Sequence, residues 1–86
     1  MSLRFVHDGS DAPPRVAFAV GRRAGPAVVR NRIRRRLRAA VQHHESLLAP
    51  GGVYLFGGDA AAMSESFPAL VEAVGTLVKT VSEERA

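Results

Sequence analysis

Two segments near the start of the chain have side chains that alternate with the two-residue period of a β-strand. In residues 2–7 the side chains at odd positions, beginning with Leu3 and Phe5, fall on one face. In residues 15–20 three larger apolar side chains at even positions alternate with two alanines. The connecting residues, 8–14, include Asp-Gly-Ser-Asp and Pro-Pro, which are turn signals. We therefore predict two strands that pair with each other as a hairpin.

After Gly25-Pro26 the apolar positions change to the spacing of an α-helix. The residues that set this spacing are Val29, Ile33, Leu37, Ala40 and Val41. We expect the helix to continue until Pro50-Gly51-Gly52 breaks it. The next run, Val53–Phe56, is short, apolar and bounded by glycines, as expected of a buried strand.

The last apolar stripe is the most regular in the chain. Seven apolar residues at helical spacing predict a core helix between Phe67 and Val81, with Ser64 or Ser66 as its N-cap. The order β-β-α-β-α predicts an α/β (α+β) two-layer sandwich, in which a small open sheet carries the helices on one face. With 86 residues, 47% of them hydrophobic, the chain is expected to form one domain over residues 1–86.

Composition excludes several classes of function. The chain has no cysteine, which removes disulfides, thiolate nucleophiles and cysteine metal sites and is typical of a reducing compartment. No apolar run approaches the roughly 20 residues that cross a bilayer, and the N-terminus lacks the layout of a signal peptide. His43 and His44 would point about 100° apart on a helix, so they cannot bind one metal from one face. We expect a cytoplasmic protein with no catalytic residue and no metal site of its own.

Charge is strongly segregated along the sequence. Nine arginines and no acid lie between Ala12 and His44, whereas residues 45–86 carry six acids and two bases. The net charge of +4 therefore combines −1 over residues 1–11, +9 over residues 12–44 and −4 over the tail, residues 45–86. A concentrated positive field of this kind attracts polyanions, and nucleic acid phosphates are the first candidates.

Six of these arginines lie within nine residues, between Arg30 and Arg38. On a helix, the apolar stripe faces away from Asn31, Arg34, Arg35 and Arg38. A guanidinium binds phosphate with two hydrogen bonds, so this face predicts contact with a nucleic acid backbone. A solvated helix face is the first alternative, but such a face normally mixes charges. A membrane-surface helix is the second, but the apolar stripe lacks tryptophan and phenylalanine.

The order of residues 22–38 resembles the signature of the bacterial ribonuclease P protein subunit. In that family a basic pair and a glycine precede Ala-Val-x-Arg-Asn-x-(Ile/Val)-(Lys/Arg)-Arg-x-x-Arg. Here the segment reads Arg-Arg-Ala-Gly-Pro-Ala-Val-Val-Arg-Asn-Arg-Ile-Arg-Arg-Arg-Leu-Arg. The flanking strands and the closing Ser-Phe-x-x-Leu helix also match, so the resemblance covers roughly residues 3–81. The family usually begins with a helix before the first strand, and we expect this chain to lack it.

The resemblance implies an RNA-binding subunit of the endoribonuclease ribonuclease P, which helps a catalytic RNA remove the 5′ leader of precursor tRNA. The implied partners are that RNA and precursor tRNA, with no membrane and no evident protein partner. The RNA performs the hydrolysis, and Mg²⁺ is expected to bind through the RNA and the substrate. The resemblance also implies a left-handed β-α-β crossover, an exception to the usual handedness.

The resemblance assigns RNA contact to the basic pair and to the basic helix. The residues are Arg22, Arg23, Arg30, Asn31, Arg32, Arg34, Arg35 and Arg38. Phe18, Phe5 and Tyr54 are candidates for stacking on leader nucleotides, with core packing as the alternative for each. The main rival function is a structural, ribosome-associated RNA-binding protein without a processing role. A DNA-binding module and a protein-interaction domain are less favoured, since strands flank the basic helix and the motif match would be a coincidence.

Overall fold

A computed structural model describes residues 1–85 of the chain, with side chains through Glu84. It contains three strands, β1 (Ser2–His7), β2 (Arg15–Val20) and β3 (Gly52–Gly58). The helices are α1 (Ala27–Gln42), the single turn α2 (Ala61–Ser64) and α3 (Phe67–Arg85). Short 3₁₀ turns lie at Arg22–Ala24 and Glu45–Leu47. The predicted order β-β-α-β-α is confirmed, with α2 as an addition.

The predicted hairpin is wrong, because β3 lies between β1 and β2. β3 runs antiparallel to β1 and parallel to β2. Its side chains are the most deeply buried of the sheet, with Tyr54 and Phe56 at 1% and 0% exposure, so the central position buries the most apolar strand. The connection, residues 8–14, instead passes the start of β3 to reach the far edge about 10 Å away. There the Asp8 N–H donates to the Gly51 carbonyl, and the Gly51 N–H donates to the Ala12 carbonyl.

The core lies between one face of the sheet and the helices α1 and α3, which confirms the predicted two-layer sandwich. α1 contributes Ile33 and Leu37, both fully buried. α3 contributes Leu70, Val74 and Val78, which are at most 1% exposed. The opposite face of the sheet is open, and its most exposed large apolar residue is Val6, at 63%.

α1 lies close to the sheet because β3 ends in glycine. A Cβ atom at Gly58 would stand 2.7 Å from Leu37 Cδ1 and 3.1 Å from Ile33 Cγ2, closer than van der Waals contact allows. Gly25 directs the chain into α1 with φ at 135°, a backbone conformation that side chains disfavour. These two glycines therefore help to set where the basic helix begins and how near the sheet it sits.

α1 ends at Gln42, earlier than the predicted break at Pro50. The N–H groups of His43 and His44 donate to carbonyls three residues back, which tightens the final turn. His44 Nε2 then lies 2.8 Å from the Val71 carbonyl oxygen, which ties the end of α1 to α3. Of the two predicted N-caps of α3, Ser66 is confirmed, because its Oγ accepts a hydrogen bond from the third residue of the helix.

Candidate RNA interface

The burial of one face of α1 fixes the direction of its arginines. With Ile33, Leu37 and Ala40 fully buried, a rotation of about 100° per residue places Asn31, Arg32 and Arg35 on the outer face. All three are exposed. Three more of the predicted contact residues, Arg30, Arg34 and Arg38, lie on the same helix. The remaining two, Arg22 and Arg23, belong to the 3₁₀ turn before it.

A row of arginines runs along one flank of α1, because Arg30, Arg34 and Arg38 are spaced four residues apart. Arg30 and Arg34 are half-buried, whereas Arg38 is exposed. Arg34 Nη1 donates a hydrogen bond to Asn31 Oδ1 at 3.1 Å, which links the row to the outer face. We call Arg30, Arg34 and Arg38 the arginine row.

Arg30 has a hydrogen-bond donor that the protein leaves unused. Its Nε atom is shielded from solvent, and no acceptor lies within hydrogen-bond distance in the described chain. Buried polar groups nearly always have a partner, so an unsatisfied donor calls for an explanation. An acceptor oxygen of a bound molecule would supply the missing partner.

The positive charge of α1 is not neutralised within the fold. Among side chains 1–84, ion pairs within 4.0 Å join only Arg15 to Asp8 and the N-terminal ammonium to Asp59. No acid occupies the first turn of α1, where the helix dipole is positive. The predicted contact arginines thus keep their charge available for an external anion.

Arg22 and Arg23 extend this surface past the start of α1. They form the 3₁₀ turn that Gly25 joins to the helix, and both are exposed. The turn places their two charges at the positive end of the helix dipole. The basic surface therefore comprises all eight residues predicted from the sequence, on two consecutive elements.

Arg36, the motif arginine left out of the predicted contact set, has an internal role. Its Nε donates to the Ala62 carbonyl at 2.8 Å, and its Nη2 donates to the Glu65 carbonyl at 2.6 Å. Its guanidinium also lies 6.0 Å from the Phe67 ring centre, within cation–π range. Arg36 thus connects α1 to the segment that carries α2 and the start of α3.

The three candidate stacking aromatics occupy different environments. Tyr54 is 1% exposed, and its hydroxyl accepts a hydrogen bond from the Ala49 N–H, so the geometry favours the core alternative. Phe5 is half-buried, with its ring centre 4.9 Å from that of Tyr54. Phe18 is half-buried at the β2 edge and stacks on Phe56 at 5.9 Å.

Phe18 also lines a groove of about 200 Å³ between β2 and the C-terminal half of α1. The Arg38 guanidinium carbon lies 5.6 Å from the centre of the Phe18 ring, at one wall of this groove. Gln42 and Glu45 line the groove as well and were not among the predicted contact residues. The four-residue spacing of Arg38 and Gln42 was the only sequence signal for this grouping.

The side chains show no metal-binding arrangement in the described part of the chain. No three His, Cys, Asp or Glu residues there come together closely enough to hold an ion. Within the described residues, no helix has the length and apolar character needed to cross a membrane.

The fold and this surface define a small two-layer α+β protein whose first helix carries an unneutralised row of arginines. The sequence model of the family described as Ribonuclease P matches residues 1–82. The chain belongs to the ribonuclease P protein family.

Individual relatives support this assignment. The chain is 37% identical over 73 residues to the ribonuclease P protein component of Brucella suis, which covers 84% of this chain and 52% of the relative. It is 32% identical over 77 residues to that of Thermobifida fusca, covering 90% of this chain and 52% of the relative. The chain therefore spans about half the length of these relatives.

Solved structures confirm the fold. The Staphylococcus aureus RNase P protein superposes with a TM-score of 0.75 at 18% identity, covering 92% of this chain and 72% of that one. The Thermotoga maritima RNase P protein gives 0.74 at 21% identity, covering 90% of this chain and 75% of that one.

Proposed function

We propose that this chain is the RNA-binding subunit of ribonuclease P and helps a catalytic RNA remove the 5′ leader of precursor tRNA. The observation that carries the proposal is the unneutralised basic surface on α1, which coincides with the family's Arg-Asn-Arg motif at residues 30–32. Membership of the family supports the proposed reaction and the two proposed RNA partners. The proposed site of action is the cytoplasm.

The basic surface is suited to hold folded RNA by its backbone. Guanidinium groups form paired hydrogen bonds with phosphate oxygens, and the spacing of the arginine row gives repeated contacts along one helix flank. An RNA oxygen would also satisfy the buried Nε of Arg30. We propose the predicted set for this contact: Arg22, Arg23, Arg30, Asn31, Arg32, Arg34, Arg35 and Arg38.

The protein's part in the reaction is binding and orientation. Hydrolysis belongs to the catalytic RNA in this proposal, and Mg²⁺ is held by phosphates of the RNA and the substrate, which are the oxygen ligands it prefers. Neutralising phosphates near the substrate lowers the repulsion between two RNAs, so less Mg²⁺ is needed to bring them together. Phe18 and Phe5, both half-buried, are the proposed aromatic contacts to the leader.

Cleavage of precursor tRNA by the matching catalytic RNA, measured at low Mg²⁺ with and without the chain, tests this function. We expect the chain to stimulate cleavage, and we expect Arg34→Glu to abolish the stimulation. Arg4→Glu is the matched control, because it changes the net charge by the same amount but at a residue on the open sheet face. It should leave most of the stimulation intact.

The outcomes separate this function from its rival. Tight RNA binding without stimulation of cleavage would contradict the processing role and indicate a structural RNA-binding protein. Equal losses in the two variants would show that the α1 surface is not the RNA site. Circular dichroism of each variant checks that the fold is retained.

A further inference from the structure

The groove beside the arginine row has the size of a site for one heterocyclic ring. Its volume of about 200 Å³ lies below the roughly 300–1,000 Å³ of sites for drug-sized ligands. Val41 and Leu48 give it apolar walls, and Phe18 and Arg38 close one side. A cavity of this shape, joined to a phosphate-binding surface, suits a single base of an RNA strand whose backbone is held outside.

The Arg38 guanidinium, supported by the Phe18 ring, provides a planar surface for stacking. Phe18 is fixed from behind by Phe56, which is fully buried, with the two rings inclined at 26°. The Arg38 guanidinium is in turn held over Phe18. Unpaired RNA bases stack on aromatic rings and on arginine guanidinium planes. This stacking does not distinguish one base from another.

Gln42 and Glu45 bring polar groups to the same groove that the fold does not use. Neither side chain forms a hydrogen bond or an ion pair with the described residues. Glu45 is the first acid after the arginine-rich segment, and a carboxylate repels phosphates. Backbone binding therefore does not account for Glu45, whereas hydrogen-bond donors on a base edge would match it.

Guanine is the base whose edge fits these two side chains. A carboxylate accepts two hydrogen bonds side by side, and guanine presents two adjacent donors, N1–H and the N2 amino group. The Gln42 amide can donate to guanine O6, the next atom along that edge. Adenine, cytosine and uracil each place an acceptor beside their donor, which would face a carboxylate oxygen.

We propose that this groove binds the unpaired guanine of a single-stranded RNA segment, with Glu45 and Gln42 recognising its Watson–Crick edge. The inference rests on the proposed RNA-binding function and adds a base preference to it. The guanine would come from the leader of the precursor or from the catalytic RNA.

Fluorescence anisotropy with five-nucleotide RNAs tests the base preference. The probes are a uridine pentamer and pentamers with guanosine, inosine, adenosine or cytidine at the centre. Inosine lacks the N2 amino group and so loses one of the two donors. We expect guanosine to bind about tenfold more tightly than uridine, with inosine between them.

Substitution of Glu45 provides the decisive comparison. Glu45→Ala should remove the guanosine preference and leave binding of the uridine pentamer equal or slightly tighter. Glu72→Ala is the matched control, since Glu72 is an exposed acid on α3 and its removal changes the charge equally. If Glu45→Ala and Glu72→Ala both tighten the binding of all pentamers by the same factor, Glu45 acts only by repelling phosphates, and the inference is wrong.

The source of the guanine is resolved with the assembled ribonucleoprotein. Weaker binding of leader-bearing precursor to the Glu45→Ala enzyme, with assembly unchanged, would place the guanine in the leader. Weaker assembly of this variant with the catalytic RNA, in the absence of precursor, would instead place the guanine in the catalytic RNA. Either result supports the site. Stimulation of cleavage with no discrimination among the pentamers would overturn the inference while leaving the proposed function intact. Loss of all RNA binding by the unaltered chain would overturn both.

Discussion

Neighbouring arginines on α1 have different roles because rotation about the helix axis gives each a different environment. Arg35 is exposed on the outer face, whereas Arg36 hydrogen-bonds to two carbonyls of the segment between β3 and α3. We expect Arg36→Ala to lower the free energy of unfolding by about 1–3 kcal/mol, since hydrogen bonds from charged groups are lost. Urea denaturation would measure it.

In RNA binding we expect the order of the two residues to be reversed, with Arg35 more important than Arg36. Arg35→Ala should weaken RNA affinity and change stability little, because its side chain has no internal partner among the described residues. Arg36→Ala should change RNA affinity much less than Arg35→Ala does, when both variants are measured under conditions in which they are folded. Equal loss of RNA affinity in both variants would show that Arg36 also contacts RNA.

Asp8 gives the loop between β1 and β2 a dependence on pH. Hydrogen bonds from the Ser10 hydroxyl and N–H, with a smaller effect of Arg15, hold the pKa of the Asp8 carboxyl below its ordinary value of 3.8. Because the folded pKa is lowered, the ionised carboxylate contributes stability above the ordinary pKa. That contribution is lost as the pH falls through 3.8 and then through the folded value.

Asp8→Asn should therefore lower the urea midpoint at neutral pH, and the difference from the unaltered chain should shrink in acid. Asp11→Asn is the control, because Asp11 forms no ion pair or side-chain hydrogen bond within the described residues. A difference for Asp8→Asn that stays constant across the pH range would show that its charge does not matter.

At the scale of the residue, the sequence predicted where the basic side chains of α1 lie, and their contact with RNA stays a prediction. Motif order and helical spacing placed eight polar residues on one basic surface, because a helix fixes the direction of each side chain once its apolar face is known. The groove at Phe18 was not predictable in the same way. It depends on Gln42 and Glu45 meeting β2, a contact between elements distant in the sequence.

At the scale of the element, the seating of α1 on the sheet depends on Gly58. Gly58→Ala would force a methyl group against Leu37 and Ile33, and we expect it to lower the free energy of unfolding by about 1–3 kcal/mol. Gly21→Ala is the control, since no atom lies within 4 Å of the added Cβ and its φ of −74° suits alanine. The thermal unfolding temperatures of the two variants are compared. A decrease for Gly58→Ala alone indicates a packing effect, whereas equal decreases would indicate a general effect of replacing glycine.

The strands themselves were predictable, but their pairing was not. Alternation and glycine boundaries located β1 and β2 with the bounds that the structure gives, because both signals are local. Strand order depends on which strand gains most from a central position. The continuous apolar run of β3 pointed to a buried strand, and giving that signal more weight would have excluded the hairpin.

At the scale of the whole molecule, the separation of charge has a consequence that single contacts do not show. The arginine-rich segment, residues 12–44, carries a charge of +9, and six of its arginines lie on the single helix α1. An approaching RNA is attracted towards α1 by this concentrated positive charge. The protein is therefore oriented before contact, and association with RNA should slow as salt is added.

The equilibrium affinity for the catalytic RNA should also decrease as salt is added. The logarithm of the affinity should fall linearly with the logarithm of the salt concentration, with a slope that counts the phosphates neutralised. Arg35→Gln should reduce this slope by roughly 0.7–0.9, the ions released per contact. Arg4→Gln on the open sheet face should leave the slope unchanged, although it alters the net charge equally. Equal slopes for Arg35→Gln and the unaltered chain would show that Arg35 adds only to the general field.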